Sequence, residues 1–324
     1  MPTRDQEEIP RGAQPKAEDY TFDLDQALMS MVSVRSTIPE DALTARTLGP
    51  ERAGHGVVIN DKGLILTIGY LVTEAESIWL VDGKGRATAG YSLGFDQSTG
   101  FGLIQALGAL DLPHLEFGSS NDLRLDEKVI LAGAGGRENA VVAEVVSKRE
   151  FAGYWEYVLD EAIFIAPPHP TWGGAGLIGA DGTLRGIGSL FVQQMSGGDS
   201  TDCNMVVPID LLKPILSDLQ KFGRVQKPPR PWLGMLATEM DEKLVVAGIV
   251  DAGPARSADV RVGDFVVGVN GSPVTELAEL FRAVWAMGEA GVDVPLNLIR
   301  DDDQLEISIH SVNRADLLKA PQLH

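Results

Sequence analysis

The residues of this chain that could do chemistry gather around one stretch, Ile165-Ala166-Pro167-Pro168-His169-Pro170-Thr171-Trp172-Gly173-Gly174-Ala175-Gly176-Leu177. Hydrolytic acyl transfer needs a hydroxyl or thiol nucleophile, a base within hydrogen-bond reach and a carboxylate that orients the base. The stretch supplies one imidazole, His169, three residues before Trp172, and no carboxylate. His55 is a second imidazole to weigh with it, and Ser189 a serine. A metal site on His55 and His169 is a weak reading, because transition-metal sites usually take three or four ligands and no suitable spacing supplies the others. His169 therefore reads as a solvated loop histidine stiffened by Pro168 and Pro170, and no cofactor is implied. The one cysteine, Cys203, excludes an intrachain disulfide framework and reads as a small apolar side chain. Gly174-Ala175-Gly176-Leu177-Ile178-Gly179 matches a dinucleotide-binding letter pattern, but that motif works only where a strand ends and a helix begins. Here a strand and a turn follow.

The element that must position the stretch is a hairpin: a Pro/Gly loop enters an apolar strand, turns at Ala180-Asp181-Gly182-Thr183 and returns. Its glycines let backbone approach a ligand closely. Residues 56–59 and 64–68 flank Asn60-Asp61-Lys62-Gly63 as another hairpin. Further strands are predicted at residues 77–81, 86–95, 102–107, 128–132, 140–151 and 156–165. Many short strands with glycine-rich turns and no alternating helices point to an antiparallel barrel or sandwich. Over residues 22–35, Phe22, Leu24, Ala27, Leu28, Met31 and Val32 predict one helical face, a docking helix or oligomer arm, with Asp23 and Asp25 at its start. Residues 207–222 predict a second helix, stopped by Gly223.

A length of 324 residues points to two domains, and 44% hydrophobic residues to a folded chain. The net charge of −19 opposes phosphate backbones and anionic lipid, so neither nucleic acid nor a membrane surface is an expected partner. No apolar run approaches the roughly 18 residues of a membrane span. The first 25 or so residues contain no apolar core segment of a signal peptide, and the chain reads as cytoplasmic.

The glycine-rich stretch resembles the nucleophile loop of trypsin-like proteases of the HtrA type, where Gly-Asn-Ser-Gly-Gly-Pro-Leu precedes a similar hairpin. Gly54-His55-Gly56-Val57-Val58-Ile59 and Gly63-Leu64-Ile65-Leu66-Thr67-Ile68-Gly69-Tyr70-Leu71-Val72 are similar to the family's Gly-Ser-Gly-Phe-Ile-Ile and Gly-x-Ile-Leu-Thr-Asn-x-His-Val-Val. Asp96-Gln97-Ser98-Thr99-Gly100-Phe101-Gly102-Leu103-Ile104 looks like the family's Asp-x-x-Thr-Asp-Leu-Ala-Leu-Leu. The resemblance places the catalytic serine, histidine and aspartate of the family on Trp172, Tyr70 and Gly100. A phenol titrating near ~10 is no general base at neutral pH, an indole N–H only donates, and glycine has no side chain. The glycine whose amide faces the oxyanion falls on Pro170, which has no N–H.

Beyond a Pro-rich linker, Trp232-Leu233-Gly234-Met235 and the run from Gly253-Pro254-Ala255 through Gly263-Asp264 to Val269-Asn270-Gly271 resemble the PDZ domains that follow HtrA protease domains. The organisation implied is an N-terminal arm over 1–44, a trypsin-like double six-stranded antiparallel β-barrel over 45–224, a linker at 225–231, a PDZ domain over 232–314 and a tail at 315–324. In such a module a loop, here Leu233, Gly234 and Met235, holds a carboxylate while the peptide adds to an open sheet edge; Leu280 and Val284 would form the facing wall. The expected function is a catalytically inactive HtrA-like pseudoprotease, not an enzyme, that binds peptide or protein C-termini as a scaffold, adaptor or partner subunit. The alternatives are a serine endopeptidase with non-standard residues, or a metal or small-molecule binder in the vacated cleft. The resemblance also implies a homo-oligomer, a trimer, or a hetero-oligomer with an active paralogue.

Overall fold

The computed structural model describes residues 8–196 and 199–320, so the outermost parts of the expected arm and tail lie outside the described residues. Twelve strands close into two six-stranded antiparallel barrels. The first contains β1 (Met31–Thr37), β2 (Glu51–Val58), β3 (Leu64–Ile68), β4 (Ser77–Val81), β5 (Ala87–Phe95) and β6 (Phe101–Ala106), in the order β1-β2-β3-β6-β5-β4. The second contains β7 (Lys128–Ala132), β8 (Ala140–Gly153), β9 (Tyr157–Ala166), β10 (Gly176–Ile178), β11 (Leu184–Ser196) and β12 (Asp199–Pro208), in the order β10-β11-β12-β9-β8-β7. The mainly β reading and the double barrel are therefore observed. The hairpin at residues 60–63 forms because Gly63 takes φ +70° and the Asn60 carboxamide oxygen accepts from the amides of Lys62 and Leu64.

Two helical readings are corrected. The expected helix over residues 22–35 exists only as α1 (Leu24–Leu28), capped by the Asp23 carboxylate, which accepts from the Gln26 amide. From Met31 the chain is strand β1, because the β-branched Val32, Val34 and Thr37 have the open edges of β2 and β4 to pair with. Leu24, Leu28, Met31 and Val32 are buried within the chain, so the apolar stripe that argued for an oligomer arm is already covered. A second short helix, α2 (Ala45–Leu48), precedes β2. The helix expected over residues 207–222 is a short 3-10 turn at Ile209–Leu211 followed by α3 (Leu216–Phe222). Pro214 lies between them, where a missing N–H and a clashing ring prevent continuation. Gly223, at φ +69°, ends α3 as expected.

A third, six-stranded sheet is built from β13 (Met235–Met240), β14 (Lys243–Ile249), β15 (Phe265–Val269), β16 (Ser272–Pro273), β17 (Asp293–Arg300) and β18 (Asp303–His310). Its order is β13-β14-β15-β17-β18, with β16 beside β15, which leaves β13 at an edge of the sheet. The short α4 (Pro254–Ser257) and the longer α5 (Leu277–Ala286) accompany it, and Leu280, Phe281 and Val284 of α5 are buried against Leu296, Leu298 and Ile309. The chain divides into two compact units, and residues 150–160, the outer end of the β8–β9 hairpin, belong to the same unit as residues 226–318. Among the described residues no helix is long and apolar enough to cross a membrane.

Candidate functional site

Tyr70 lies on a 3-10 turn immediately after β3, and Gly100 on the turn between β5 and β6. The Gly100 carbonyl accepts from the Gly69 amide at 2.6 Å, which ties the two turns together. Gly100 itself stands at φ +83°, and the Asp96 carboxylate caps its turn by accepting from the Thr99 amide and hydroxyl, each at 2.8 Å. The Tyr70 hydroxyl donates to the Ser189 carbonyl at 2.9 Å and stands so close to Gly173 that a Cβ there would come within 2.5 Å of it. Burial pushes the phenol's pKa above its ordinary value, so it is a committed donor. Trp172, next to Gly173, packs its ring 5.5 Å from Phe191 and against the apolar cluster of the second barrel. The three positions singled out by the resemblance are thus brought together as Tyr70, Gly100 and Trp172, and what they form is packing and one fixed hydrogen bond.

The glycine loop is held on β2. The Gly173 carbonyl accepts from the His55 amide at 2.8 Å, and Gly174, at φ +80°, lies where a Cβ would overlap the His55 carbonyl oxygen. Both histidines end up in this contact, with ring centroids 6.1 Å apart. His169 is wholly buried, contrary to the expected solvated loop residue, because the Asn204 side chain accepts from its amide and its ring is drawn inward by two bonds. Its Nδ1 accepts from the Thr171 amide at 3.0 Å, which leaves Nε2–H to donate to the Asn139 carbonyl at 3.1 Å. His55 has the same pattern: Nδ1 accepts from the Ala134 amide at 3.1 Å, and Nε2 faces the Thr171 hydroxyl at 3.1 Å. All four ring nitrogens are engaged, so the pair offers a metal no free lone pair. Burial and the neighbouring His169 hold the His55 pKa down at about 3, and burial lowers His169 as well.

Thr171 is the residue that sequence reasoning passed over. Its hydroxyl stands between two imidazoles, and the signal was available in its place directly before Trp172. In the tautomer set by the Ala134 amide, His55 donates to this hydroxyl instead of accepting its proton.

In the third sheet's unit, Leu233, Met235, Leu280 and Val284 are all buried in one apolar cluster, so these side chains pack in the core. Gly234 takes φ +73° with a Cβ position 2.7 Å from the Gly253 Cα, which only glycine satisfies. The amides of Leu233 and Gly234 donate to one oxygen of a carboxylate, Glu156 Oε1, at 3.2 and 3.1 Å.

Two family models match this architecture: a trypsin-like peptidase domain over residues 54–187 and a PDZ domain over residues 231–310. A trypsin-like peptidase domain followed by a PDZ domain is the organisation of HtrA-type proteases, which this chain resembles. A probable periplasmic serine endoprotease, DegP-like, of Pseudomonas fluorescens is 27% identical over 282 residues, covering 81% of this chain and 57% of that protein. The periplasmic pH-dependent serine endoprotease DegQ of Escherichia coli is 26% identical over 317 residues, covering 88% of this chain and 68% of that one. The chain therefore spans little more than half of the first of these relatives. Among solved structures, the HtrA-type protease AlgW with a decapeptide superposes with a TM-score of 0.53 at 17% identity over 93% of this chain and 100% of its own. A serine endoprotease from Yersinia pestis superposes with 0.50 at 23% identity, over 90% and 98%.

These relatives correct two expectations. They are named serine endoproteases, which overturns the reading of this chain as not an enzyme. They are named periplasmic, which overturns the cytoplasmic reading.

Proposed function

We propose that this HtrA-type chain binds peptides or proteins as a scaffold, adaptor or partner subunit, taking extended C-terminal segments at the loop Leu233–Met235 and the edge of β13. The observation that carries the reading is the convergence of the Leu233 and Gly234 amides on a single carboxylate oxygen, the arrangement a terminal carboxylate requires. The side chains of Leu233, Met235, Leu280 and Val284 give the loop and helix α5 their fixed spacing from within the core. The test is a titration with a labelled peptide ending in an apolar residue, as the free acid and as the C-terminal amide. The free acid is expected to bind and the amide to bind at least tenfold more weakly; equal binding would show that the loop does not read the carboxylate.

A second reading follows from the endoprotease names of the relatives: peptide-bond hydrolysis by residues other than Tyr70, Gly100 and Trp172. Thr171 is the hydroxyl with imidazoles at 3.1 and 3.4 Å, and His55 would first have to exchange tautomers to serve as its base. Casein turnover and fluorophosphonate labelling that disappear in Thr171→Val would establish this reading.

A further inference from the structure

The carboxylate that fills the Leu233–Gly234 loop belongs to the chain itself. Glu156 lies at the tip of the β8–β9 hairpin, in the sequence Tyr154-Trp155-Glu156-Tyr157, and takes φ +60°, a left-handed conformation that non-glycine residues seldom adopt. That conformation turns its side chain inward until it is almost completely buried. Two residues earlier, the Tyr154 carbonyl accepts from the Ala237 amide at 3.1 Å, on β13, the edge strand of the sheet. A carboxyl group on the loop amides, with a backbone hydrogen bond to the edge strand two residues back, is how a C-terminal peptide would begin to dock by strand addition.

The rest of the hairpin holds it there. Ala152 and Val158 pack against the apolar cluster of the PDZ unit. Arg282 of α5 grips both arms of the hairpin, binding Glu150 at 2.6 Å and Asp160 at 2.5 Å. Trp155 stacks on Tyr157 at 5.6 Å and lies edge-on to Tyr154, which packs the tip upon itself. Hydrogen bonds, apolar packing and ion pairs thus all hold the hairpin end on this unit.

We propose that the tip of the β8–β9 hairpin is an internal ligand of the PDZ groove, with the Glu156 side-chain carboxyl group in the place of a peptide C-terminus, and that an incoming C-terminal peptide must displace it. The inference rests on the reading that this loop takes carboxylates. It deepens that reading by making the groove self-occupied, with access controlled by competition. Since a displaced ligand subtracts its own docking free energy from that of the newcomer, apparent affinity falls by the fraction of chains whose groove is open.

The experiment compares the full chain with Glu156→Gly, which suits the left-handed turn and removes the carboxylate, and with Glu150→Gln/Asp160→Asn, which loosens the Arg282 grip and leaves the PDZ residues untouched. The readouts are affinity for a labelled peptide ending in a free apolar residue and hydrogen exchange of the Leu233 and Gly234 amides without peptide. Glu156→Gly is expected to bind at least tenfold more tightly, and the double variant a few-fold more tightly, with faster exchange of both amides. Equal peptide affinity in all three proteins would overturn the proposal. If none of them binds peptide, the carboxylate-capture reading fails, and exchange alone judges the internal ligand: faster in Glu156→Gly supports it, unchanged overturns it.

Discussion

Acidification from pH 7 to pH 5 should destabilise the barrel unit by about 2 kcal/mol through His55 alone, by linkage between folding and protonation. An unfolded chain exposes this imidazole with the ordinary value of 6.5, whereas burial and the adjacent His169 hold it at about 3 in the folded protein. Between those values the unfolded state binds a proton that the folded state does not, so stability is complete above pH 6.5 and is lost as pH falls toward 3. At pH 5 the difference is about 1.5 pH units, and at about 1.36 kcal/mol per unit this comes to roughly 2 kcal/mol. That is a large share of the ~5–15 kcal/mol that holds a domain folded. The assay is urea denaturation at pH 7, 6 and 5, followed by tryptophan fluorescence, on the wild type and on His55→Gln. The variant loses stability at pH 7, because glutamine cannot satisfy both the Ala134 amide and the Thr171 hydroxyl. Its further loss between pH 7 and 5 should be smaller than that of the wild type by about 2 kcal/mol, the contribution of the missing imidazole. Parallel pH profiles for the two proteins would refute the buried-neutral assignment, as would an NMR spectrum at pH 5 with His55 as imidazolium.

The other expectations concern backbone and docking. Gly174→Ala should cost at least about 3 kcal/mol by urea denaturation, since its Cβ overlaps the His55 carbonyl oxygen at a positive φ. Gly234→Val should lower the melting temperature of the PDZ unit as well as abolish peptide binding, because the added side chain strikes Gly253 at φ +73°; binding lost with full thermal stability would contradict the packing. Introducing Tyr70→His, Gly100→Asp and Trp172→Ser together should destabilise the chain without raising casein turnover, since Gly100 is at φ +83° and Pro170 still has no amide to offer. Burial raises the docked Glu156 carboxyl to about 8, against the pull of the loop amides and Arg314. The docked hairpin therefore binds more protons than the free one, and apparent peptide affinity should increase as pH rises from 6 to 8; a flat profile would contradict this.

Much of the fold was legible because its signals are local. Asn60 and Gly63 wrote the first hairpin, Gly223 wrote a helix end, and the alternation of short strands and glycine turns wrote two barrels. The helix reading over residues 22–35 failed for a nonlocal reason. Leu24, Leu28, Met31 and Val32 fit a helical stripe, yet from residue 31 the pairing edges of β2 and β4 compete successfully for the backbone, and nothing within that stretch of sequence reveals those partners. Pro214 was visible and should have divided the later helix. At the barrel site the residue types at positions 70, 100 and 172 could be read directly, whereas the burial of His169 depends on Asn139 and Asn204, which approach from distant parts of the chain.

The Glu156 contact was illegible for the same reason and has the larger consequence. In sequence, Tyr154-Trp155-Glu156-Tyr157 is an aromatic hairpin tip with one charge, and the default for such a charge is a solvated face. Two features outside the tip's letters change its meaning: the left-handed backbone at Glu156, which turns the carboxylate inward, and the Gly234 turn, which aims consecutive amides at it. Neither feature alone makes a binding site. Two backbone donors, the Leu233 and Gly234 amides, stabilise a buried carboxyl that would otherwise be costly to desolvate, and the same donors are those a peptide terminus needs. A groove that satisfies its donors internally does not leave them orphaned when no peptide is bound, so the unliganded chain can keep a preformed site buried. It also follows that a peptide gains no net hydrogen bonds at this loop, since Glu156 gives up those it made; selectivity must come from the side chains that replace Tyr154 beside β13 and Ala152 and Val158 against the apolar cluster.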